Sequence, residues 1–363
     1  MYMTGVISTI KSYAYTRTLP LLKAPPPLEV NIPSGKEHDQ PIAAICDPMT
    51  WQDLCQNYSA IALTPKKWQN AFANEAEHRV KFLFCEATWS GTANACWKGQ
   101  VYKDGRVYYE NRRALIKILN HCNTEKIPTV FWAKEDPVYF QDAVYNFTDT
   151  ALKFDYIFTT AKECIPKYKA LGHKQVHLLP FGFSPNIYRP PSDLENPREK
   201  VCIFAGSWFP DHPKRCTDLT KIFDMVLAAG IPLRIYDRHM KSGRSRRPFP
   251  TKYQPFVQNG VSCGALGEIY RNTEYVINVN TVSTSSTMFA RRVYEAMACG
   301  CIIISNESVG MRQQFGNNVW FIGQEFDHNL INRIRLENIN TVFSNHTWEQ
   351  RMNYLYTLIG AKQ

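Results

Sequence analysis

The residues best suited to chemistry are concentrated in YVINVNTVSTSSTMFARRVYEAMACGCIIIS (275–305), which runs from an apolar stretch through a Ser/Thr-rich turn and an amphipathic stretch to a glycine and a second apolar run. The turn TVSTSST (281–287) sets hydroxyls and unpaired backbone N–H groups at the expected start of a helix, where the peptide dipoles favour negative charge. A diphosphate suits such a place. The helix expected over 287–300 carries Met288, Arg292, Glu295 and Cys299 at spacings of four, three and four, hence on one face, while Phe289, Val293, Ala296 and Gly300 form a second face for packing. Arg292 can reach a phosphate, and Glu295, roughly 10 Å further along the axis, can accept hydrogen bonds from ribose hydroxyls. The competing reading of the same residues is an N-capped core helix with an Arg291–Glu295 pair on its surface. Asn280, Ser285, Ser286, Thr287, Met288, Arg292 and Glu295 are therefore candidate nucleotide-binding residues.

A second candidate lies in VCIFAGSWFPDHPKR (201–215). Gly206 and Ser207 at a strand-to-helix turn let backbone approach a phosphate, and Arg215, beside Lys214, supplies compensating charge. In PLRIYDR (232–238), Asp237 and Arg238 either serve the same site or pair with each other. In the first half of the chain, Asp47, Glu86, Glu135 and Asp136 fall at or just beyond the ends of apolar runs, where a carboxylate can take a proton from a reacting hydroxyl or simply cap a helix. No D-x-D pair is present, so phosphate charge is expected to be neutralised by Arg215, Arg292 and the helix dipole, with no metal and no cofactor.

These positions need a scaffold, and the apolar runs supply it. IAAIC (42–46), VKFLFC (80–85), PTVFW (128–132), YIFTT (156–160) and VHLLP (176–180) alternate with helix-like stretches, the pattern of a parallel, doubly wound sheet. The proline-rich segment 185–200 interrupts the rhythm, which restarts at VCIFAG (201–206), PLRIYD (232–237), YVINVN (275–280) and CIIIS (301–305). The expected organisation is an N-terminal arm (1–40), a first Rossmann-like domain (41–184), a linker (185–200), a second Rossmann-like domain (201–345) and a terminal helix (346–363) crossing back to the first domain. Two such α/β domains create a central cleft between the carboxyl ends of their strands.

Composition bounds the rest. With 363 residues, 44% hydrophobic and 20% charged, the chain is long enough for two cores and too apolar for wholesale disorder. A net charge of +10 favours anionic partners: phosphorylated ligands, nucleic acid or an anionic membrane face. The densest basic stretch, RHMKSGRSRR (238–247), reads as a solvated loop. No apolar run is long enough to span a bilayer and the N-terminus lacks a signal-peptide layout, so a cytoplasmic location is expected, with peripheral membrane contact still open. Eleven cysteines without a C-x-x-C pair fit neither a disulfide framework nor a zinc knuckle; Cys299 and Cys301 suit small-residue packing.

EAMACG followed by an apolar strand resembles the signature of the GT-B glycosyltransferases, and S-x-TMF-x-RR-x-[YF]-E-x-x-ACG resembles the CgeB/YkvP-like branch (glycosyl transferases group 1). GSW-x-P, IYDR, E-[SA]-x-W-x-G in FLFCEATWSGTANACWKG (82–99) and FW-x-KEDP in IPTVFWAKEDPVYF (127–140) extend the resemblance over most of the chain. It implies a GT-B fold, a nucleoside-diphosphate sugar bound by Glu295 through its ribose and by Ser285, Ser286 and Thr287 through its diphosphate, and retention of configuration. One departure stands out: many retaining members carry two glutamates eight positions apart, and the first position here is Thr287. On the acceptor side, Trp89, Trp97 and Trp132 can stack on sugar faces, with Lys134 beside them. The expected activity is transfer of a sugar to a glycan, a cell-surface polymer or a spore-coat-type acceptor. A DNA-glycosylating enzyme, and a nucleotide-sugar-binding protein without turnover, are the alternatives.

Overall fold

The structure, a computed structural model, describes residues 29–31, 40–72, 79–194, 196–240 and 247–360. Most of the expected arm, and residues 241–246 of the basic loop, lie outside the described residues.

The apolar runs form strands because nearly every residue in them is covered on both faces, as a central parallel strand requires. The first sheet contains β1 (Glu29–Asn31), β2 (Ile42–Ile45), β3 (Ala60–Ala62), β4 (Phe82–Glu86), β6 (Thr129–Ala133), β8 (Tyr156–Thr159) and β9 (Val176–Leu178), in the order β1-β3-β2-β4-β6-β8-β9. A small ribbon pairs β5 (Lys103–Asp104) with β7 (Tyr145–Asn146). The second sheet contains β10 (Glu199–Gly206), β11 (Leu233–Asp237), β12 (Val257–Asn259), β13 (Thr273–Asn278), β14 (Ile302–Ser305) and β15 (Trp320–Phe321), in the order β12-β11-β10-β13-β14-β15. Every pairing in the two large sheets is parallel except β1 with β3, so one antiparallel edge strand joins an otherwise parallel sheet. The β3, β12 and β15 strands carry no sequence signal of their own. They have two or three residues each, and β3 is Ala-Ile-Ala, poor in the β-branched and aromatic types that mark a strand.

Each sheet is wrapped on both faces. Ile45, Leu83 and Phe131 pack on one side of the first sheet and Ile42, Phe84 and Trp132 on the other. That second face is covered by helix Trp348–Ile359, whose Trp348, Met352, Leu355, Tyr356 and Ile359 are buried in it. The helix starts with a capping box between Thr347 and Gln350 and ends at Gly360, which has φ +69°. Burying a side chain the size of Leu355 contributes about 1.5–3 kcal/mol, so this stripe fastens the end of the chain to the first domain. The two crossings between domains lie side by side: Trp348 N–H donates to the Phe183 carbonyl at 2.7 Å and Phe183 N–H to the His346 carbonyl at 3.1 Å.

Candidate functional site

In the second domain, β10 ends at Gly206 and helix Pro213–Ala228 follows, buried through Leu219, Ile222, Phe223 and Val226. This helix presents Arg215, whose Nη1 donates to the Ser207 carbonyl at 3.2 Å. Arg292, the first residue of helix Arg292–Ala298, lays its guanidinium over the Phe204 ring at 5.1 Å and donates to the Ala205 carbonyl. The glycine at 206 is dictated by this packing, since a Cβ there would lie 2.8 Å from the Phe204 ring and 3.1 Å from Arg292 Nη2. Arg238 adds a third cation one residue beyond β11, where Asp237 is the register partner of Gly206. Burial, and then the Arg292 charge, bring Arg215 down to about 10; desolvation and Arg292 likewise lower Arg238. Among the described residues none of the three forms an ion pair. Buried Ser207 Oγ and Asp237 Oδ2 have no hydrogen-bond partner there. Like charges held together in this way repel one another and would be relieved by an anion between them.

The Ser/Thr turn corrects the sequence reading. The helix begins at Arg292, five residues after Thr287, so Ser285, Ser286 and Thr287 do not stand at its N-terminus and Met288 is not on its face. Ser285 Oγ accepts from the N–H groups of Thr287 and Met288, the local serine bonding that competes with helix formation. The carbonyls of Ser283 and Ser285 accept from Val309 and Gly310 N–H at the start of helix Val309–Phe315. Facing the first domain, Ser285 Oγ donates to Glu163 Oε2 at 3.1 Å, and Thr287 Oγ1 donates to the Thr160 carbonyl and accepts from Lys162 N–H, both at 2.9 Å. Met288 packs against the first domain's core. The turn is thus a strut between domains. Asn280 joins Asn278, Ser305 and Asn306 in a buried network at the ends of β13 and β14.

Glu295 is buried, and its Oε1 is bonded by Arg291 Nε. Arg291 is not a surface partner, for its Nη1 crosses the domain boundary to Asp53 Oδ2 at 2.9 Å, on helix Pro48–Asn57.

In the first domain, Asp47 follows β2, Glu86 ends β4 and Lys134 follows β6, which places all three at neighbouring strand ends. Lys134 Nζ lies 2.8 Å from both Asp47 Oδ2 and Glu86 Oε1, and Thr50 Oγ1 donates to Glu86 Oε2 at 2.6 Å. Lys134 is therefore the counterion of two carboxylates rather than an open acceptor contact. Burial raises Glu86; for Asp47 burial is outweighed by Lys134, Thr88 and Gly91 N–H, which hold it below the ordinary range. Glu135 stands next to this group, raised mainly by burial, and shares a hydrogen bond with Trp89. The charges of Glu135 and Asp47 also act on Arg238 of the other domain.

Three expected site residues belong to the core instead. Asp136 is 3% exposed, its carboxyl taken by Thr159 Oγ1 at 2.7 Å and Tyr168 OH at 3.4 Å, and burial pushes it up to about 7. Trp97 and Trp132 are 0% and 1% exposed, and their indole N–H groups donate to the Leu63 and Leu179 carbonyls. Neither is open to a sugar: Trp132 lies in β6 on a covered face of the sheet, and Trp97, in the turn after helix Thr92–Ala95, packs within the first domain's core. Trp89 is half-buried, edge-on to Tyr139, Tyr145 and Phe147.

Two doubly wound domains with their strand ends turned toward each other define the GT-B fold, and solved structures agree. The chain is similar to a sucrose-phosphate synthase from Thermosynechococcus elongatus (13% identity, TM-score 0.51, covering 89% of this chain and 99% of that one). It is also similar to an alpha-glucosyltransferase in complex with UDP and a 13-mer DNA containing an HMU base (10% identity, TM-score 0.54, covering 83% and 85%). At these identities the likeness establishes the fold alone. Against a GtfA/B complex it spans 61% of that chain's length and 70% of its own, at 12% identity and a TM-score of 0.42. Residues 250–357 match the glycosyl transferase-like family model. No curated protein sequence is significantly similar to the chain. No described helix is long and apolar enough to cross a membrane.

Arg238 stood between a site role and a pair with Asp237, and Asp53 was not evident as a site residue. Arg238 offered a signal, its place just beyond a strand end; Asp53 offered none, because its partner lies 238 residues away.

Proposed function

We propose that this protein is a CgeB/YkvP-like glycosyltransferase that moves a sugar from a nucleoside diphosphate to a glycan, a cell-surface polymer or a spore-coat-type acceptor. The observation that carries this reading is the convergence of Arg215, Arg238 and Arg292 at the ends of β10 and β11 with no ion-pair partner among the described residues. Fixed cations in a partly desolvated site stabilise the charge that grows on a departing diphosphate, the task a metal ion performs elsewhere. Glu295 is the ribose ligand, since no hydrogen bond among the described residues reaches its Oε2. The family match over 250–357 supports glycosyl transfer, and retention rests on the EAMACG resemblance.

On the opposite side, Asp47 and Glu86 are committed to Lys134, which leaves Glu135 as the carboxylate best placed to take a proton from an acceptor hydroxyl. Carboxylates beside Trp89 suit a hydroxyl-rich glycan and oppose a phosphate backbone. Nucleic acid is therefore the second reading, favoured by the net charge of +10 and the basic stretch 238–247.

The test is nucleoside diphosphate release from UDP-, GDP-, ADP-, CDP- and dTDP-sugars, with and without EDTA. Consumption of one nucleotide family that survives EDTA is expected. Binding of a nucleotide with no release, whatever glycan is added, would favour a binding protein without turnover.

A further inference from the structure

The ion triad Asp53–Arg291–Glu295 links the domains at a point that neither half-site explains. Asp53 is 1% exposed, in the second turn of a helix that begins next to Asp47, and its Oδ1 has no partner. Three residues earlier on the same helix, Thr50 bonds Glu86 of the carboxylate group. One short helix thus grips the acceptor-side charges through Thr50 and the donor-side glutamate through Asp53 and Arg291.

The division of the Arg291 fork matters. Nη1 goes to Asp53 and Nε to Glu295 Oε1, so Asp53 fixes the plane of the guanidinium, and in that plane one oxygen of Glu295 is met. A guanidinium released from Asp53 can rotate and take both oxygens, since the two-pronged arginine–carboxylate pair is the favoured geometry. We infer that Asp53 is a positioning residue for the donor site, acting through Arg291 to keep Glu295 Oε2 open to the ribose. This role rests on the nucleotide site proposed above. It also makes ribose binding depend on domain closure, because Asp53 belongs to one domain and Glu295 to the other.

Pyrophosphate separates this role from a merely structural one, for it carries the diphosphate charge and no ribose. Calorimetric titrations in EDTA would compare wild type with Asp53→Asn, using UDP, GDP, ADP, CDP, dTDP and pyrophosphate. For the nucleotide that wild type binds, Asp53→Asn is expected to weaken affinity by about tenfold, the effect of one charged hydrogen bond, and to leave pyrophosphate affinity within about twofold. Unchanged nucleotide affinity, or equal loss of nucleotide and pyrophosphate, overturns the inference. Binding of pyrophosphate but of no nucleotide by wild type overturns the ribose site and this role with it, whereas binding of neither removes the anion site too. Should Asp53→Asn fail to fold, Arg291→Lys, which keeps the charge but removes the fork, is expected to show the same split.

Discussion

Arg215 and Arg292 converge on the end of one strand: Arg215 Nη1 donates to the Ser207 carbonyl at 3.2 Å, and Arg292 lies over Phe204 and donates to the Ala205 carbonyl. Both guanidiniums rest on backbone oxygens two residues apart, and the charge of one depresses the other. An arrangement that is self-repelling when empty gains most when an anion enters. Arg215→Gln should therefore leave the melting temperature of the free protein unchanged or slightly raised, while weakening nucleoside diphosphate binding by about 1.5–3 kcal/mol. A parallel fall in both quantities would assign Arg215 to the core alone.

Asp136 should govern part of the pH dependence of stability. Its pKa rises from 3.8 to about 7 on folding, mainly through burial. The folded state then holds a proton that the unfolded state releases, so this contribution to stability is complete below 3.8 and is lost as pH climbs through about 7. Asp136→Asn should flatten that decline, as denaturant unfolding between pH 4 and 8 would reveal. An unaltered slope would mean that another group titrates.

Removing the counterion of the acceptor-side carboxylates should be costly. Lys134→Met leaves Asp47 and Glu86 facing each other with Glu86 fully buried, and about 3–5 kcal/mol of stability should be lost. Chemical denaturation measures this directly; a loss below about 1 kcal/mol would argue against the buried pairing.

The aromatic residues separate by role. Trp132→Ala should cost about 3–5 kcal/mol, because the ring fills the space between the sheet and Trp348, 5.4 Å away between centroids. Trp89→Ala is expected to act on acceptor dependence at smaller cost in stability. Acceptor titrations of both folded variants check the distinction, which an effect of Trp132 on acceptor KM at full stability would contradict.

The fold was legible because its information is local: short, mostly apolar runs such as CIIIS and VKFLFC, alternating with helix-like stretches, mark central strands, and each sits within a residue or two of its expected place. Gly206 and Arg215 were legible for the same reason, as a turn glycine and a helix-start cation within one unit. The Ser/Thr turn was misread because helix propensity says nothing of Val309 and Gly310, whose N–H groups hold that backbone away from helical geometry. Trp97 and Trp132 were misread because burial depends on tertiary packing: Trp97 sits in a turn folded into the first domain's core, and Trp132 is covered by a helix more than 200 residues further on. The Asp53–Arg291 contact depends wholly on how the domains face each other.

The most direct measurement is calorimetric titration of nucleoside di- and monophosphates into wild type, Arg292→Gln and Glu295→Ala in buffer containing EDTA. One nucleoside diphosphate should bind wild type without metal and more tightly than its monophosphate. Arg292→Gln should erase the preference for the second phosphate, and Glu295→Ala should weaken both forms by about 1.5–3 kcal/mol. Binding that vanishes with EDTA, or that is indifferent to both substitutions, would contradict a metal-free diphosphate site at the ends of β10 and β11.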